Sequence, residues 1–161
     1  MKILTTITLS IFIASIFLLV VACDSGLDPS VKKSLEDAGE TVGIEIPWPH
    51  YLSPGYEIQN VTVDGKDNVM LMIANNESKI IELEIMWRPQ GIIPYRIDIN
   101  KPTTEINGIT AQILRSDEKI WLVWNWYPER YKPGLIIVEL FVPKDFSIEE
   151  LTKIAGSISW D

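Results

Sequence analysis

The spacing of apolar and polar residues changes three times along the chain, and each change marks a new element. Residues 3–22 carry no charge, and Ile11, Phe12, Ile13, Ile16, Phe17, Leu18, Leu19, Val20 and Val21 supply most of their apolar weight. A short cationic start at Lys2, an apolar run and a small residue at Ala22 have the form of a secretory signal. The charged pattern then begins. Asp28-Pro29 reads as a helix start, with Asp28 as N-cap and Pro29 at the first helical position. Val31, Leu35 and Ala38 recur at helical spacing to about Glu40, and Gly39 and Gly43 bracket the exit.

From Ile44 the period falls to two. Ile44-Glu45-Ile46 alternates until Pro47, Pro49, Pro54 and Gly55 force an extended, turn-rich stretch. Strands are predicted over 56–64 and 69–74, with Asp64-Gly65-Lys66-Asp67-Asn68 as the turn between them. Ile81, Leu83, Ile85 and Trp87 then face one way while Glu82 and Glu84 face the other, the pattern of a sheet with one wet face. Short strands are expected over 95–99 and 103–106, and Asn107-Gly108 turns the chain into 109–115.

The strand over 119–127 is apolar on both sides. Ile120, Leu122, Trp124 and Trp126 share one face, Trp121, Val123 and Tyr127 the other. Residues 135–142 are similar, with Glu139 their sole charge, so both strands belong mid-sheet with something covering the second face. Ser147-Ile148-Glu149-Glu150 fits a capping box, and Ile148, Leu151, Ile154 and Ala155 form the buried stripe of a closing helix. The expected class is therefore α+β: an antiparallel meander of about six or seven strands with an N-terminal and a C-terminal helix packed on one face. The division is a signal over 1–22, a tether over 23–29 and a single domain over 30–161.

Composition narrows the chemistry. One Cys and one His in 161 residues cannot make a zinc site of the usual Cys/His type or an intramolecular disulfide framework. A formal charge of −8 argues against a nucleic-acid partner, since phosphate contacts need clustered Lys and Arg. No motif for a cofactor or metal is present. His50 lies in a Pro-rich segment, where a lone His is ordinarily a hydrogen-bonded surface side chain rather than a general base. Glu82 and Glu84 share a strand face and form the one candidate carboxylate pair, but strand alternation already accounts for them. Trp121, Trp124, Trp126, Tyr127 and Tyr131 are the candidate ligand or partner contacts, because aromatic faces stack on sugars or line apolar grooves. Their other role is to fill the space between sheet and helices. The loop 127–134 is the expected place for a partner contact.

Val20-Val21-Ala22-Cys23 resembles the lipobox of bacterial lipoproteins, and the single Cys of the chain falls at its obligatory position. The resemblance implies cleavage between Ala22 and Cys23, a diacylglycerol thioether on Cys23, and a domain fixed to the membrane on the extracytoplasmic side. The other reading of the same run is an uncleaved span, since about 20 apolar residues suffice to cross a bilayer.

Ile46-Pro47-Trp48-Pro49-His50-Tyr51-Leu52-Ser53-Pro54-Gly55-Tyr56 resembles the opening of a further family of domains. These stand at the C-terminus of bacterial anti-sigma-factor-type membrane regulators and of sporulation or carrier-like lipoproteins. Ile106-Asn107-Gly108, Trp124 and the helix 148–158 agree with it. That family brings no established activity. The lipobox, the α+β pattern and the lack of a catalytic constellation together lead to the expectation of a non-catalytic binding or sensing domain of the cell envelope, whose partner is an envelope protein or an apolar ligand. A carrier enclosing an apolar ligand is the first alternative, and an envelope hydrolase using paired carboxylates the second.

Overall fold

Asp28 opens the first helix as its sequence demands. Its side chain accepts a hydrogen bond from the Ser30 amide at 2.8 Å, and Pro29 occupies the first turn, where a missing N–H costs nothing. In the computed structural model, which describes residues 27–89, 94–131 and 133–160, this helix (α1) spans Pro29–Val42. It runs two residues past the expected end. Gly43 stops it in the left-handed region at φ 79°, its N–H donating to the Gly39 carbonyl at 2.8 Å. The signal and the Ala22-Cys23 junction lie outside the described residues.

Strands follow in the order β1 (Trp48–Pro49), β2 (Tyr56–Asp64), β3 (Asn68–Asn75), β4 (Ile80–Arg88), β5 (Thr103–Ile106), β6 (Ile109–Arg115), β7 (Lys119–Trp126) and β8 (Leu135–Pro143). Helix α2 (Ile148–Gly156) and a short β9 (Ile158–Ser159) close the chain. The fold is α+β, with a seven-stranded antiparallel sheet and a helix at either end of the domain. Two meanders, β2-β3-β4 and β5-β6-β7-β8, meet where β4 pairs with β8, giving the order β2-β3-β4-β8-β7-β6-β5. The two-faced apolar strands β7 and β8 thus lie inside the sheet, as their composition requires. β1 and β9 form a separate two-stranded ladder.

One expected strand is absent. Residues 95–99 form no ladder and instead cross the outer face of the sheet. The Tyr95 amide donates to Asn125 Oδ1 at 3.0 Å, and Asn125 Nδ2 donates back to the Tyr95 carbonyl at 2.7 Å. Further along, the Asp98 amide donates to Oε1 of Gln112, which is only 1% exposed. Side chains on the sheet thus satisfy backbone groups that a strand would pair edge to edge. Tyr95 packs with Met86 and Leu114 over Val123, Leu135 and Ile137, supplying the cover that the second apolar face needs.

The main core lies on the other face. Leu71, Leu83, Leu122, Trp124, Val138 and Leu140 meet Leu35, Ala38 and Val42 of α1 and Leu151, Ile154 and Ala155 of α2. At α2 the capping box is half made. The Ser147 side chain accepts from the Glu150 amide at 3.0 Å, but the Glu150 carboxylate turns away from the cap. It accepts from Tyr51 Oη at 2.6 Å and Ser53 Oγ at 2.7 Å, tying the Pro-rich stretch to the helix.

Candidate functional site

The stretch Ile44–His50 leaves α1 and runs back beside it, and Gly39 sets how closely the two approach. A Cβ on Gly39 would stand 2.7 Å from the Ile44 carbonyl oxygen, closer than side-chain carbons come to backbone, so only glycine fits there. Between helix and returning chain lies an open groove of about 1050 Å³. Leu35, Ile44 and Ile46 form its apolar floor. Lys32, Glu36 and Glu40 line it from α1 and Glu45 from the opposite wall. Leu27, the Trp48–His50 ring pair (centroids 3.9 Å apart) and Tyr131 complete its rim.

The wall at Glu45 is held from several directions. The Glu45 amide donates to Tyr131 Oη at 2.8 Å, and Trp160 Nε1 donates to the Glu45 carbonyl at 2.9 Å. The Glu45 carboxylate pairs with Arg130 at 3.0 Å. Arg130 in turn lies 4.1 Å over the Trp160 ring, which packs against Trp126 with centroids 4.2 Å apart. Trp87 meets Tyr131 edge-on at 5.8 Å and presses on Gly134, where a Cβ would fall 1.9 Å from the indole. A short 3-10 turn, Glu129–Tyr131, presents both Arg130 and Tyr131 to this cluster.

The electrostatics of the groove are one-sided. Glu36 and Glu40 stand one helical turn apart, and like charges at that spacing repel by about 0.2–0.5 kcal/mol. Glu40 lies near the C-terminal, partially negative end of α1, whose last turn contains no basic residue. Lys33 is paired with Asp37 at 2.8 Å, and among the described residues Lys32 is the one Lys or Arg that lines the groove, one helical turn before Glu36.

The five predicted aromatic contacts do not form one surface. Trp124 is 2% exposed and belongs to the core, because its strand is covered on that face by the helices. Trp126 lies against Trp160, and only Tyr131 reaches the groove. Trp121 is on the opposite sheet face, stacked on Phe141 at 5.7 Å, and Tyr127 is 53% exposed. Of the described residues of the loop 127–134, Tyr131 lines the groove. His50, expected as a surface side chain, is exposed on the groove rim.

Glu82 and Glu84 share the outer sheet face as expected. Glu82 pairs with Lys119 at 2.6 Å, and Glu84 accepts from Asn68 Nδ2 at 2.6 Å. Glu139 on β8 stands opposite Glu84. Burial first, and the Glu84 charge second, push the Glu139 carboxyl above its ordinary value. Among the described residues no group of three or more His, Cys, Asp or Glu side chains is placed to hold a metal ion, and no helix is long and apolar enough to cross a membrane.

Leu27, Glu36, Gly39, Glu40, Glu45 and Trp160 were not expected as site residues, although Gly39, Glu40 and Glu45 appear in the sequence pattern as element boundaries or strand positions. A signal for two of them was present, in the unbalanced acids of the last turns of α1. Trp160 had none, since a terminal aromatic does not reveal its partner.

No protein-family model matches the chain, and no curated protein matches it. A crystal structure from Bacteroides thetaiotaomicron VPI-5482 aligns with 68% of this chain at 12% identity and a TM-score of 0.37. The aligned part spans 47% of that structure's own chain. A likeness of that degree says nothing about activity.

Proposed function

We propose that this protein is a lipid-anchored binding module of the bacterial cell envelope, held on the extracytoplasmic side through Cys23 and acting by binding rather than catalysis. The observation that carries the reading is the groove between α1 and Ile44–His50, whose rim begins at Leu27. Leu27 is four residue steps from Cys23, with Asp24, Ser25 and Gly26 between them, a reach of at most about 14 Å of extended chain. Anchored there, the groove is held next to the membrane surface, where the membrane-proximal parts of other envelope proteins are concentrated. Two or more acyl chains give a lasting anchor, at about 0.8 kcal/mol for each buried CH₂.

The carrier alternative needs room between sheet and helices, and Leu71, Leu83, Leu122, Trp124, Leu140, Leu151 and Ile154 fill that space. The groove, open and on the surface, is the better-supported site. Metabolic labelling with a fatty acid, followed by membrane fractionation, tests the anchor. The wild-type chain is expected to carry label and sediment with membranes, and Cys23→Ala to lose the label. An unlabelled wild-type protein in the soluble fraction would overturn the proposal.

A further inference from the structure

We infer that the groove between α1 and Ile44–His50 takes a basic, partly apolar polypeptide segment of another envelope protein. The inference rests on reading the protein as a binding module and adds the chemical class of its ligand. Size argues for a segment of chain, because about 1050 Å³ is at the upper end of the range for small-molecule sites and the groove is open along its side. The apolar floor of Leu35, Ile44 and Ile46 suits aliphatic side chains.

Charge selects among such segments. Glu36, Glu40 and Glu45 line the groove. Among the described residues Arg130 pairs with Glu45 and Lys32 stands one turn from Glu36, so three carboxylates face two cations and Glu40 is left uncompensated. The C-terminal end of α1 adds its own negative partial charge, uncapped by any Lys or Arg in the last turn. A Lys or Arg between Glu36 and Glu40 relieves their mutual repulsion, while an acidic segment is repelled by both. The same carboxylates disfavour an anionic bilayer as the occupant, although the proposed anchor holds the groove beside one. A protein segment remains, recognised by alternating cationic and apolar side chains.

Dye-labelled octapeptides test this by fluorescence anisotropy against the full chain in dodecylmaltoside micelles, with empty micelles as reference. The three peptides alternate Lys with Leu, Ser with Leu, and Glu with Leu. The Lys peptide is expected to bind, with a Kd that rises several-fold between about 50 and 500 mM NaCl, and the other two to bind far more weakly. Glu36→Gln with Glu40→Gln is expected to weaken the Lys peptide by at least about tenfold. Glu77→Gln with Glu105→Gln removes the same charge at exposed sites away from the groove, and is expected to leave binding unchanged; circular dichroism confirms that both variants fold.

Failure of the Lys peptide to bind above the micelle background would overturn the inference. So would equal binding of the three peptides, or equal loss in the two double variants. The assay does not require an acylated Cys23, so a missing anchor and an empty groove give separate results.

Discussion

Tyr51 donates its hydroxyl to the Glu150 carboxylate at 2.6 Å, joining the Pro-rich stretch to the first turn of the closing helix. Ser53 donates to the same oxygen at 2.7 Å, and the Lys153 ammonium lies 3.7 Å over the Tyr51 ring. This contact fixes the far end of the segment whose near end forms the groove wall. The Glu150 half of a local motif, the capping box, has been given up for a tertiary contact, while Ser147 keeps its half.

The Tyr51 hydrogen bond first, and that of Ser53 second, hold the Glu150 carboxyl below the ordinary carboxylate value. A lowered folded-state value contributes stability above the unfolded value, lost as pH falls through the folded one. Glu150→Gln is therefore expected to cost about 1 kcal/mol at pH 7, below the about 1.5–3 kcal/mol of hydrogen bonds to a buried charged acceptor because the group is partly exposed. In a domain of this size the melting temperature should fall by about 3–5 °C. Thermal unfolding followed by circular dichroism should show that difference closing at about pH 2.5. An equal deficit at both pH values would remove the charge from the explanation.

Gly39 sets two effects against each other. Alanine in place of a helical glycine ordinarily stabilises by about 1 kcal/mol. Here the new Cβ meets the Ile44 carbonyl oxygen at 2.7 Å, a backbone atom that cannot swing aside. Overpacking costs about 1–3 kcal/mol, so the steric effect wins. Gly39→Ala should lower the urea midpoint, whereas a raised midpoint would mean that helix and returning chain separate easily.

Glu139 carries the opposite sign to Glu150. Its carboxyl value is raised by burial and then by Glu84 across the β4–β8 ladder. A raised value means that its contribution is full below the unfolded value and is lost as pH rises through the folded one. Glu139→Gln should accordingly stabilise the protein at pH 7, by about 0.2–1 kcal/mol, the range for directly opposed like charges in a sheet. The gain should shrink as pH falls toward about 4. Denaturant titrations at the two pH values measure it, and a variant less stable than wild type at pH 7 would contradict the account.

Much of the fold was legible because it is written in short-range pattern. Asp28-Pro29 and Gly43 bound a helix, alternation at Ile81–Trp87 orients a strand, and the two apolar faces of β7 and β8 demand an interior position. Residues 95–99, Tyr-Arg-Ile-Asp-Ile, misled because a short alternating stretch has the same pattern whether it pairs with a strand edge or crosses a sheet face. What separates the two is where its backbone hydrogen bonds go, and their partners, Asn125 and Gln112, lie far along the chain.

By itself, then, the sequence determined most of the elements, the inward faces of the helices and of β4, and the α+β class, because each follows from the chemistry of neighbours a few residues apart. Tertiary structure alone decided that β4 pairs with β8, that Trp124 is buried while Trp121 faces outward over Phe141, and that Glu36, Glu40 and Glu45 border one groove. A groove is a relation between surfaces. It exists only after Gly39 has let Ile44–His50 close on α1 and Trp160 has come back to hold Glu45 from the other end of the chain.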